Sequence, residues 1–239
     1  MNARDPVANE ALSDTPACEF RCIADASSGP GEGDFAVDRP DLDATVIRKA
    51  AGIVLPTEGT GRAVALLATG ARCVLLGEAA LREPAIVAAL AREFGEGRVG
   101  VFAPVRRIAV RWSFDTVSNA DFKVVSPSLA APAWEVLLAD GTGTGTHALW
   151  WIEQMLALGA AQALLRVDIG DDADLNLCAE CVERFGDRLW IGPLADSAPD
   201  IAEWIAFGHA RRLALPSALM AEYSPRGGPS RAGEGEAPA

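Results

Sequence analysis

Eight short apolar runs recur along the chain with helical periodicity between most of them, and this rhythm constrains the fold more than any other feature. The runs are Phe20–Asp25, Phe35–Asp38, Ile53–Pro56, Cys73–Gly77, Val99–Ala103, Ala163–Asp168, Leu189–Gly192 and Arg212–Leu215. CVLLG and ALLRVD are apolar at consecutive positions rather than alternate ones. That pattern suits strands covered on both faces, as in parallel sheets. The intervening segments carry start and stop signals: Glu83-Pro84 opens a helix that Gly95 closes, Thr146 opens one that Gly159 closes, and Asp174 and Ser197 cap helices ending at Gly186 and Gly208. Alternating βα units make a closed barrel or a doubly wound sheet. The similarity of LLATGARCVLLGEAAL (66–81) to WIAFGHARRLALPSALM (204–220) makes the fourth and eighth strands equivalents in a two-fold repeat, which favours the barrel.

The 239 residues suit one domain of barrel size. We expect a domain over 17–223, with disordered tails at 1–16 and 224–239, where Gly, Pro and charge replace the periodic pattern. The rhythm breaks between 105 and 146, where alternating segments predict an antiparallel hairpin excursion of two or three strands. GTGTGT (141–146) lacks both phosphate-loop patterns and reads as a turn. ASSGPGEGD after the first strand is too short for a helix, and the chain becomes polar after Met220, so helices 1 and 8 of a complete barrel are expected to be missing. Their absence would uncover the apolar outer faces of the first and last strands, and such a face wants a partner.

A net charge of −12 opposes binding to nucleic acid or anionic lipid. No apolar run approaches a membrane span and no signal peptide is visible, so a cytoplasmic protein is expected. Cys18, Cys22, Cys73, Cys178 and Cys181 are odd in number and read as reduced thiols. Their helical CxxC and CxxxC spacings are not those of a zinc knuckle, so no metal is expected. Neither His147 nor His209 suggests a triad, and no cofactor motif is present. Trp150, Trp151 and Trp204 fall on helices, where packing against the sheet is the default; Trp112 and Trp134, on the excursion, would suggest an interface if exposed.

The order of segments resembles a known family. GARCVLLGEAALREPAIVAALAREFG, VGVFAPVRR, WEVLLADGTGTGT and WIEQMLALGAAQALL are similar, in sequence and spacing, to successive pieces of the cyclase subunit of imidazole glycerol phosphate synthase, and of the related isomerase of histidine biosynthesis. The resemblance runs with gaps from about Phe20 to Leu219. It implies a TIM (β/α)8 barrel, a lyase reaction on a phosphorylated aminoimidazole carboxamide ribotide and a glutamine amidotransferase subunit as partner.

The same resemblance exposes losses. The family's two acid–base aspartates fall on Ala24 and Pro104, leaving Asp25, one residue late, and Asp168 as candidate catalytic acids. Phosphate and substrate positions carried over are Gly59, Gly61, Gly77, Gly192 and Ser217. Their turns are altered by Glu58, Pro193, Leu194 and Asp196, which remove donors or add negative charge. Asp38 and Asp171 join Asp168 as rim acids, a setting better suited to a cation or amine than to a bisphosphate. The expectation is a degenerate barrel without the ancestral cyclase activity, acting through a protein partner or as a homo-oligomer. The alternatives are a retained or altered cyclase, and a small-ligand barrel using the acidic rim.

Overall fold

The computed structural model describes residues 18–24, 31–108, 114–119, 122–127, 132–195 and 198–223. Eight parallel strands close into a barrel: β1 (Glu19–Ala24), β2 (Phe35–Val37), β3 (Gly52–Leu55), β4 (Val74–Leu76), β5 (Val99–Arg107), β10 (Ala163–Arg166), β11 (Leu189–Gly192) and β12 (Arg212–Pro216). Each of the eight expected strands is present. Closure is made by the pairing of β5 with β10 and by a five-residue register from Glu19↔Arg212 to Ile23↔Pro216.

Helices fill the outer layer: α1 (Ala44–Lys49), α2 (Thr60–Thr69), α3 (Glu78–Arg82), α4 (Ala85–Phe94), α5 (Ala148–Ala157), α6 (Asp172–Phe185), α7 (Ile201–Ala206) and α8 (Ser217–Tyr223). No helix lies between β1 and β2 among the described residues. The last helix is shortened rather than missing. Seven residues of α8 lie against β1 and β12, and Tyr223 stacks on Phe20 at 5.9 Å, so the outer face of β1 is partly covered by the chain itself. β4 and β12 each lead straight into a short helix, α3 and α8, as the two-fold repeat predicts.

The caps differ in detail from expectation. His147, not Thr146, precedes α5; Asp171, not Asp174, caps α6 by accepting the Ala173 and Asp174 amides; and Asp200 caps α7, while Ser197 lies outside the described residues. An Asx residue just before the first turn presents its carboxylate to two free amides. Asp174, one turn in, is left free to turn inward.

Strand alternation divides the core in two. Ile53, Leu55, Val74, Leu76, Val99, Val101, Leu165, Ile191, Leu213 and Leu215 face the helices. Ile23, Phe35, Val54, Leu75, Leu164, Trp190 and Ala214 fill the barrel. Towards the N-terminal end the lumen turns polar. Arg21 and Arg212 sit over the Trp190 ring at 4.6 and 5.2 Å, and Glu19 pairs with both guanidiniums. Residues at that end of such barrels serve stability rather than chemistry.

The excursion between β5 and α5 has two parts. β6 (Phe114–Asn119) and β7 (Phe122–Pro127) form a separate antiparallel pair. β5 runs three residues beyond the barrel rim and pairs antiparallel with β8 (Trp134–Leu137), which in turn pairs with β9 (Gly143–His147). The GTGTGT segment is therefore mostly strand: Gly141 takes positive φ in the turn after Asp140, and Gly143 onward is laddered to β8. No helix among the described residues is long and apolar enough to cross a membrane.

Candidate functional site

The C-terminal mouth, where the strand ends converge, is the default site of such a barrel. On the side of β3, β4 and β5 the described residues leave little room. Pro56, Gly77, Phe102 and Pro104 from the strand ends meet Val136, Leu137 and Ala139 of the β8–β9 hairpin around a residual space of about 10 Å³. A space of that size holds about one water molecule. Pro104 pairs with Arg166 across β5 and β10 and lines this space, so the proline stands where the resemblance puts a proton-transferring acid.

The first strand reads differently from expectation. Ile23 packs inside the barrel, whereas Ala24 pairs with Ala36, whose side chain belongs to the outer layer. An acid at 24 would point towards the helices rather than into the mouth. Asp25, the candidate catalytic acid, lies outside the described residues, as do Asp196 and Trp112.

Asp168, the other candidate, is engaged in a structural contact. It lies just beyond β10 and its carboxylate accepts the Leu194 amide at 2.8 Å and the Ala195 amide at 2.9 Å. Two successive N–H groups converging on one oxygen make an anion cradle. The turn after β11 thus keeps donors of the kind that grip phosphate, and a side chain of the same protein occupies them. Beside it, the Arg166 guanidinium donates to the Pro193 and Leu194 carbonyls, so the turn is held through both its amides and its carbonyls. Burial pulls Arg166 below the usual arginine value, opposed by the charge of Asp168.

The remaining rim acids are each paired. Asp38, its side chain 4% exposed, receives Nε and a terminal nitrogen of Arg62 of α2 at 2.8 and 2.6 Å. This forked contact raises the Arg62 guanidinium above its ordinary value. Asp171 caps α6 and receives Arg107 at 2.5 Å, which holds its carboxyl below the usual 3.8. Asp174, 4% exposed, accepts the Trp134 indole N–H at 3.0 Å and lies 3.7 Å from Arg107. Glu135 is held by Arg106 and the Gly145 amide; these lower its carboxyl although desolvation, the largest single influence, opposes them. These rim acids are held by internal contacts; those of Asp174 and Glu135 also fasten the hairpin to the barrel.

The carried-over glycines divide by geometry. A Cβ on Gly77 or Gly192 would meet backbone oxygens at 2.4 and 2.1 Å, so both are required by close strand packing. Gly59 precedes α2, Gly61 lies in its first turn, and neither would meet anything within 4 Å. Ser217 opens α8.

Trp134 is buried, so it offers no exposed aromatic; Trp151 and Trp204 are buried too, but Trp150 on α5 is 57% exposed, against the packing default. Cys178 and Cys181 are buried in α6, where desolvation pushes the Cys178 thiol up to about 12 and raises Cys181 as well. No group of three potential metal ligands occurs among the described residues.

Sequence reasoning missed Arg107, Arg166 and Asp174. Their signal was partly there: Arg106-Arg107 follows the fifth strand directly, at the height where a rim acid would need a counter-charge. What the geometry defines is an α/β barrel of the (β/α)8 type with a hairpin packed against one side of its mouth. No family model matches the chain, and no curated protein matches its sequence.

Proposed function

We propose that this chain is a barrel of the histidine-biosynthesis cyclase type that no longer performs the cyclase reaction and works instead through a protein surface, as a homo-oligomer or with another protein. One observation carries the reading: the anion cradle after β11 is occupied by Asp168, and the space among the ends of β3, β4 and β5 under the hairpin is about 10 Å³. A ribotide bearing two phosphates needs that cradle and far more room. Proline at 104 removes one half of the acid–base pair the cyclisation requires. Exposed Trp150 and Phe207 supply apolar surface of the kind enriched in protein contacts. The full chain, assayed with the phosphoribulosyl aminoimidazole carboxamide ribotide and ammonium, is expected to show no consumption of substrate above the uncatalysed rate. Robust turnover that disappears in Asp25→Asn would overturn the reading and restore a cyclase.

A further inference from the structure

A second space lies outside the mouth, on the flank of the barrel. It has about 340 Å³, within the size range of small-molecule sites and well above the space left at the mouth. Its walls are the Pro132–Trp134 segment leading into the hairpin, His147 and Leu149 at the start of α5, and Leu177, Glu180 and Cys181 of α6. The last three follow i, i+3, i+4 spacing and so share one face of their helix.

The lining has a simple chemical character. The Trp134 indole N–H is turned to Asp174, and its almost fully buried ring borders the groove. Leu149 and Leu177 are half-buried hydrophobes. The Cys181 thiol is raised by burial and stays neutral. Among the described residues no lysine or arginine lines the space, and its permanent charge is the exposed Glu180 carboxylate. Glu180 forms no salt bridge among the described residues, because the nearby Arg184 is held by Glu153 at 2.7 Å. His147 adds an imidazole that can accept or donate a hydrogen bond. A chain of net charge −12 further raises the local concentration of cations.

We propose that this groove binds a small monocation with an apolar body, an aryl or alkyl amine, whose hydrocarbon part packs on Leu149 and Leu177 beside Trp134 and whose ammonium group sits at Glu180. Charge complementarity selects the ligand's sign and the apolar walls select its body. An anion of the same shape meets only repulsion. The site is independent of the mouth, so it stands whether or not the barrel has lost its cyclase chemistry.

Isothermal titration of the full chain with 2-phenylethylamine, 2-phenylethanol and 3-phenylpropanoate tests this, with tryptophan fluorescence as a second readout. The amine should bind saturably, the alcohol roughly threefold to fivefold more weakly, as for a partly exposed ion pair, and the carboxylate more weakly still. Glu180→Gln should bring the amine down to the level of the alcohol without changing the alcohol. Leu177→Trp should fill the groove and abolish binding of both, with Leu149→Phe on the opposite wall serving if Leu177→Trp lowers the melting temperature. No saturable binding of the amine would overturn the proposal. So would equal binding of all three compounds, a preference that survives Glu180→Gln, or amine binding undiminished in both filled variants.

Discussion

The contact between Trp134 and Asp174 fastens the hairpin to the barrel, and its removal has a magnitude that can be worked from the structure. In Asp174→Ala three partners lose the carboxylate. Gly170 is exposed and its amide, 3.3 Å away, turns to water at little cost. Arg107 keeps Asp171 at 2.5 Å, and it is partly exposed, so its loss is small. The Trp134 indole is buried and is left with an unpaired N–H, which costs about 1.5–3 kcal/mol for a bond to a charged acceptor. The total of about 2–3 kcal/mol corresponds to a fall in Tm of roughly 4–12 °C for a domain of this size. Thermal unfolding followed by circular dichroism measures it, and Trp134→Phe completes a double-mutant cycle. The two changes should be coupled by at least about 1 kcal/mol. A Tm change below about 2 °C, or strict additivity, would refute the idea that this bond holds the hairpin.

Arg62→Leu leaves the Asp38 side chain buried without its cation and should destabilise by about 2–4 kcal/mol in urea titration. Adding Asp38→Asn should recover part of that loss. Gly192→Ala drives a Cβ towards the Ala214 carbonyl and should cost at least about 2 kcal/mol, whereas Gly61→Ala, in open space in the first turn of α2, should be neutral or stabilise by up to about 1 kcal/mol. Equal effects would contradict the geometric division of the glycines. The Arg107 contact lowers the folded Asp171 carboxyl below 3.8, so its stabilisation is present above that value and is lost as pH falls through the lowered folded value. The Tm difference between the protein and Arg107→Leu should therefore hold from pH 7 to about pH 5 and shrink towards pH 2.

The fold was legible in the sequence because burial on both faces writes itself as consecutive apolar residues. ALLRVD and CVLLG could be little else than parallel strands, and all eight strands fall where their runs predict. The seam between β1 and β12 closes although the sequence predicts neither helix 1 nor helix 8 beside it. Its strength comes from a long register and the Glu19–Arg21–Arg212 network, and pairing between chain ends leaves no local pattern. The same limit explains α8. Seven residues before a polar tail show too short a period to announce a helix, yet Tyr223 finds Phe20, some 200 positions away, as a packing partner. GTGTGT misled in the opposite sense, since glycine and threonine suggest a turn while the β8 edge supplies ladder bonds that impose a strand on most of it.

The site was legible as a list of residue types but not as a state. Sequence places Asp38, Asp168 and Asp171 correctly at the rim, and periodicity cannot reveal that each is already paired. Their partners lie 24, 26 and 64 positions away, distances that only the closed barrel brings together. Pro104 is the exception: a proline cannot transfer a proton wherever it sits, and it lines the space under the hairpin at the end of β5.

The account rests on Asp168 occupying the cradle formed by the Leu194 and Ala195 amides, and titration of those two amides by NMR tests it most directly. With inorganic phosphate added to millimolar concentration, their signals should stay unmoved in the native chain and shift saturably in Asp168→Ala. Saturable shifts of the same amides in the native chain would show the cradle open to anions and contradict its occupation by Asp168.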